Sequence, residues 1–153
     1  MIQRIQSLLL FLSAVLMSVC LFSPVWKAAS GVDIYMDTYK VSITDQAIIT
    51  EKSVVYIAIL IAASIVLSLF VISRYKNRLL QIRLNMMNTL LICIIEGLYF
   101  WNIKDAKMLL GTGYVESWGA AFYLPLGALM LCIFAGRRIQ RDEELVKSVD
   151  RIR

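Results

Sequence analysis

Glu96 is the one ionisable residue inside an otherwise apolar stretch running from about Leu84 to Ile103. A carboxyl group in such surroundings is expensive to place, and where it occurs it typically moves protons or binds cations. Helical spacing sets Gln81, Asn85, Asn88 and Glu96 on one face, with Thr89 and Tyr99 flanking it, so a polar stripe is expected to point into a helix bundle. The candidate polar site is therefore Glu96, Asn88, Asn85 and Tyr99. Two chemistries fit it. A carboxyl that exchanges a proton suits proton or cation coupling, whereas hydrogen bonds from the same groups would simply hold helices together. The second is the plainer reading, because Gly97 and Trp101 put Glu96 near the end of its stretch, within reach of water or a backbone donor.

Residue types exclude most other chemistry. The chain has no histidine, which removes Ser-His-Asp triads, His-ligated metals and bis-His haem. Cys20, Cys93 and Cys132 fall in three different apolar stretches without a short spacing, so neither a disulfide framework nor a zinc site follows. Gly111-Thr112-Gly113 lacks the preceding strand and following Lys-Ser/Thr of a phosphate loop and reads as a turn. No enzymatic activity and no cofactor are expected.

The elements that must carry these residues are apolar helices. With 59% hydrophobic and 18% charged residues and a mean hydropathy of +0.72, the composition lies outside the soluble range. A bilayer core about 30 Å thick needs roughly 20 apolar residues at about 1.5 Å each. Four stretches meet this length, at about 5–26, 53–73, 84–103 and 117–136. Residues 27–52 then form an external loop and residues 137–153 a cytoplasmic tail. Arg4 before the first stretch and Ala28-Ala29-Ser30 after it imitate a cleavable secretion signal. That apolar run is too long for one, and Pro24, Trp26 and Lys27 intervene, so a retained span is expected.

Charge placement orients the thread. With the N-terminus inside, the inner segments hold all nine arginines, namely Arg4, Arg74, Arg78, Arg83, Arg137, Arg138, Arg141, Arg151 and Arg153, together with Lys76 and Lys147. The outer segments keep only lysines, balanced by acids. This is the positive-inside pattern rather than a nucleic-acid face, despite a net charge of +5. Arg74, Lys76, Arg78, Arg83, Arg137 and Arg138 are the candidate contacts for anionic lipid headgroups on the cytoplasmic face, at about 1 kcal/mol each. Trp26, Trp101 and Trp118 all mark outer ends of spans, as interfacial aromatics do.

Finer features complete the expectation. Val32, Ile34 and Met36 alternate with Asp33, Tyr35 and Asp37, and Val41 and Ile43 with Ser42 and Thr44, which predicts a short external β-hairpin turning near Asp37-Thr38. Pro125 should deprive the Ala121 carbonyl of its helical partner. Ile139, Leu145, Val146, Val149 and Ile152 share one arc, predicting an amphipathic C-terminal helix that lies on the membrane or docks a protein partner, as the external loop also could. The fold class is thus all-α: an integral membrane four-helix bundle, both ends inside, decorated by one hairpin.

Two end segments carry a resemblance. The opening Met1-Ile-Gln-Arg-Ile-Gln6 and the closing Arg141-Asp-Glu-Glu-Leu-Val-Lys-Ser-Val-Asp-Arg151 resemble a family of small four-span membrane proteins from Bacteroidota, domain of unknown function family 4293. The resemblance covers the whole chain and implies a bacterial inner-membrane location. It implies no activity, cofactor or catalytic residue.

Overall fold

The computed structural model describes residues 2–30, 32–45, 48–75, 77–108 and 113–150. Among the described residues four helices and five strands follow one another in this order: α1 (Ile2–Cys20), β1 (Trp26–Ser30), β2 (Val32–Met36), β3 (Lys40–Asp45), β4 (Ile48–Ser53), α2 (Val55–Ser73), α3 (Arg78–Lys107), β5 (Val115–Trp118) and α4 (Ala120–Asp150). The helices pack as a ring in which α1 touches α2 and α4, and α3 touches the same two. Consecutive helices run in opposite directions. The strands therefore gather at one end of the bundle, while the connection from α2 to α3 lies at the other.

The buried positions explain why these helices associate. On α1 the seam runs Gln6, Leu10, Ser13, Met17 and Cys20, with Ala14 buried beside it; on α2 it runs Ile57, Ile61, Ser64, Ser68 and Val71, with Ala58 beside it. On α3 they run Gln81, Asn85, Asn88, Ile92, Ile95, Tyr99 and Asn102, and on α4 Ala121, Pro125, Ala128, Cys132, Ala135 and Ile139. Steps of four and three alternate throughout. That 3.5-residue repeat keeps one seam of each helix against its neighbours, as in coiled-coil packing. Small residues on α4 let α1 come close, so that Ser13 Oγ lies 3.4 Å from the Ala128 carbonyl.

Helix ends follow local chemistry. The α1 helix stops at Cys20, ahead of the expected limit at Trp26, because Pro24 cannot continue it and Val25 instead donates to the Met36 carbonyl at 3.0 Å. The α3 helix starts behind Asn77, whose side chain accepts from the Leu80 amide at 3.2 Å. The α4 helix runs on without a break to Asp150, so the expected separate C-terminal helix is a continuation of it. The side chains expected to form its apolar arc from Leu145 onward lie outside the described residues.

The all-α expectation needs correction. The expected hairpin exists, as β2 and β3, with Ile34 opposite Ile43 and a turn held by Asp37 Oδ1 accepting from the Tyr39 and Lys40 amides. It is the centre of a larger antiparallel sheet, in the order β4-β3-β2-β1-β5. A two-stranded hairpin is marginal in isolation. Here β1 supports it on one side and β4 on the other, and β5 arrives from the connection between α3 and α4 to pair Trp118 with Trp26. Met36 and Val41 on the sheet's inner side, and Val54 between β4 and α2, are buried with Ile57, Ile103 and Ala106 of the helices, which fuses sheet and bundle into one core.

Candidate functional site

The α3 seam brings together three of the four expected site residues. Asn88 is fully buried; its Oδ1 accepts from Ser64 Oγ at 2.8 Å and its Nδ2 donates to Ser68 Oγ at 2.9 Å, both on α2. One turn earlier Asn85 Nδ2 donates to the Cys132 carbonyl of α4 at 2.9 Å, and Gly136 leaves it room, since a Cβ there would lie 2.8 Å from that nitrogen. Gln81 donates to the Val71 carbonyl at 3.3 Å. Ser13 of α1 meets Cys132 Sγ at 3.2 Å, completing a polar band that touches all four helices.

Tyr99 anchors a second node near the sheet. Its hydroxyl lies 3.1 Å from Thr38 Oγ1, which donates to the Cys20 carbonyl at 3.0 Å, so Tyr99 is the donor to Thr38. Thr38 belongs to the turn between β2 and β3 and is fully buried: the hairpin tip is inserted into the end of the bundle. Pro125 frees the Ala121 carbonyl as expected, and Cys20 Sγ approaches that oxygen at 3.4 Å. Asn102 donates to Tyr56 Oη at 2.8 Å beside this plug.

Glu96 is displaced from the stripe to which spacing assigned it. The true period of the seam is 3.5, so Ile92, Ile95 and Tyr99 occupy it and Glu96 turns toward the flank facing α4. There it lines a cleft of about 370 Å³ with Cys93, Gly97 and Phe100 of α3 and Phe122 and Pro125 of α4. Its Oε2 is buried and has no hydrogen-bond partner in the protein.

The residues expected to meet lipid headgroups gather at the end opposite the sheet. Arg83, Arg137 and Arg138 are exposed there, and the Arg74 guanidinium lies 4.7 Å from the Phe70 ring centre. Arg78 is turned inward instead, donating to the Asp142 carbonyl at 2.8 Å, while the Asp142 carboxylate accepts from Gln6 of α1. Lys76 lies outside the described residues.

Sequence reasoning missed one cluster entirely. At the sheet end, Lys107 Nζ sits 5.7, 5.9 and 5.1 Å from the ring centres of Trp26, Tyr114 and Trp118, and 2.6 Å from Glu116 Oε2. The Lys107 ammonium holds the Glu116 carboxyl below the usual carboxylate range. These residues come from α3, β1 and β5 and its flank, so no spacing within one element announces them. Trp26, expected as an interfacial anchor, is fully buried here. Among the described residues no group of three or more His, Cys, Asp or Glu is placed to hold a metal ion.

Comparison with curated proteins finds no match for this chain. A family model, in contrast, matches residues 2–152, a range that takes in the seams of all four helices, the buried hairpin tip and the Glu96 cleft. The chain therefore belongs to the family described as a domain of unknown function, DUF4293.

Proposed function

We propose that this chain is a four-span inner-membrane protein with both ends in the cytoplasm, serving as a non-enzymatic component that engages another protein through its external sheet or its C-terminal helix. One observation carries the reading: the helices keep a band of polar side chains buried between them while large apolar side chains cover their outside. Asn88 is 0% exposed, whereas Met86, Ile59 and Val66 are 66%, 63% and 66% exposed. In water such a belt would far exceed the few hundred Å² of contiguous apolar surface that soluble monomers tolerate. In hydrocarbon it is the expected arrangement, with polar groups satisfied between helices. The helices α2, α3 and α4 each contain a stretch long and apolar enough to cross a bilayer, and α1 runs beside them.

The band of Ser, Asn and Cys side chains and the inserted Thr38 fill the bundle axis, which favours a scaffold over a central passage. The alternative, a small proton-coupled transporter using Glu96, draws on the unpartnered Oε2 at its lateral cleft. The two readings separate experimentally. A mild-detergent pull-down from native membranes should recover a partner with the full chain and lose it when residues after Arg141 are removed or when Lys27 and Tyr35 on the sheet are replaced. In liposomes, a proton flux present in the intact protein and absent in Glu96→Gln would instead establish the transporter.

A further inference from the structure

We infer that the cleft between α3 and α4 is a lateral, lipid-facing site for a lipophilic organic cation, which the Glu96 carboxylate holds. The inference rests on the membrane-embedded reading above, but not on a scaffold or transport role.

The acid is the observation to be explained. Four other carboxylates have side-chain partners: Glu116 with Lys107, Glu51 with Lys40, Asp105 with Lys52, and Asp142 with Gln6. Among the described residues two buried side-chain oxygens meet no donor, Asn85 Oδ1 in the polar band and Glu96 Oε2, and only the second belongs to a carboxyl group. The next cation along its helix, Lys104, stands eight residues on, about 12 Å along the axis. Apart from Glu96 the cleft is lined by apolar side chains and one thiol. A metal ion would need several oxygen ligands, and one carboxylate among phenylalanines cannot supply them. An organic ammonium or phosphonium, which needs one counter-charge and broad apolar contact, fits the lining. Phe100 and Phe122 add ring faces that attract cations.

The route of entry follows from placement. The cleft is built from two neighbouring helices only, and Cys93, Phe100 and Leu126 on its rim are exposed on the outside of the bundle. Glu96 lies eleven residues before Lys107, so it is about 16 Å below the sheet end of α3. A ligand would therefore arrive by partitioning into the acyl layer rather than through the plugged bundle end. Gly97 lines the exposed side of the cleft, and a Cβ built there meets nothing within 4 Å.

The test uses the full chain in lipid nanodiscs, with tetraphenylphosphonium as probe and tetraphenylborate, its near-isosteric anion, as control. Equilibrium dialysis should show saturable cation binding that the anion does not compete away. Glu96→Gln should weaken it by about tenfold or more, because the counter-charge acts in a low-dielectric setting. Gly97→Leu keeps the carboxylate and sets a bulky side chain on the cleft lining at a position with room for a Cβ, so it should weaken binding comparably while leaving the circular dichroism melt intact. Absence of saturable binding, equal affinity for the anion, or affinities within about twofold across both variants would overturn the inference. Failure of the membrane reading looks different: the protein would then leave the membrane on alkaline carbonate washing, whatever it binds.

Discussion

At the scale of single residues, the most consequential side chain is Asn88, which has no exposure and satisfies two hydroxyls on a neighbouring helix. Its worth is the cost of leaving Ser64 and Ser68 unpaired, not the gross strength of two hydrogen bonds. Interhelical bonds of this kind average about 0.6 kcal/mol and reach about 1.7. Asn88→Ala should therefore lower stability by about 1–2 kcal/mol, since both bonds and some packing go together. Met86→Ala, two residues away on the apolar outside, should change it by less than about 0.5 kcal/mol. Unfolding in mixed micelles with increasing denaturing detergent measures both. Equal effects would mean that the interior network contributes nothing beyond surface packing. Asn85 and Asn88 were legible as inward-facing from their spacing, because a polar group on an apolar helix has few other places to go. Their partners were not, since Ser64, Ser68 and Cys132 lie on helices whose sequence distance carries no register.

At the scale of elements, the four helices were legible as apolar runs, although the first ends at Cys20 rather than Trp26 and its apolar part is shorter than those of α2, α3 and α4, yet their seams were not. A helix that is hydrophobic on every side shows no moment to mark its buried face. On α3, Gln81, Asn85 and Asn88 do mark a face, and a 3.6-residue projection then misplaced Glu96 by letting it drift into the stripe. The sheet was half legible. β2 and β3 alternate cleanly, but β1 follows Pro24 with the small pair Ala28-Ala29, and β5 is four residues beside a segment that reads as a turn. Both are strands because tertiary pairing makes them so. The junction that permits this is Gly119, whose amide donates to the Val25 carbonyl at 2.9 Å while Ala121 donates to the Pro24 carbonyl at 3.1 Å. A Cβ on Gly119 would sit 2.0 Å from the Pro24 carbonyl oxygen, a backbone atom that cannot swing aside. Gly119→Ala should accordingly cost about 2–4 kcal/mol and loosen the sheet from the bundle. Gly97→Ala, in open space within α3, should be neutral or stabilising by up to about 1 kcal/mol. Comparing the two melts distinguishes close backbone approach from a general intolerance of glycine replacement, which would depress both.

At the scale of the whole molecule, the two ends of the bundle differ in kind, and the proposed orientation rests on that asymmetry. One end is closed by a sheet whose exposed charges are lysines with acidic partners, such as Lys40 with Glu51 at 2.5 Å. The other presents Arg74, Arg83, Arg137, Arg138 and Arg141 around the α2–α3 turn and the C-terminal half of α4. Each arginine near an anionic leaflet contributes about 1 kcal/mol, so five of them on one end outweigh thermal energy several-fold and resist translocation during insertion. The gathering of Arg74, Arg83, Arg137 and Arg138 at one end was readable in sequence, because loop charge depends on order along the chain, whereas the inward turn of Arg78 depends on packing and was not. The expected outcome is directional. In a background where Cys93 is replaced by Ser, Asp33→Cys on the sheet should react with a membrane-impermeant maleimide on intact cells, and Arg141→Cys should react only after the membrane is opened. Both positions are exposed, so burial cannot mimic protection. Labelling of Arg141→Cys on intact cells, with Asp33→Cys silent, would mean the arginine end faces outward and that charge does not set the orientation. Labelling of both on intact cells would place the two ends on one side, which four antiparallel helices crossing a bilayer cannot do.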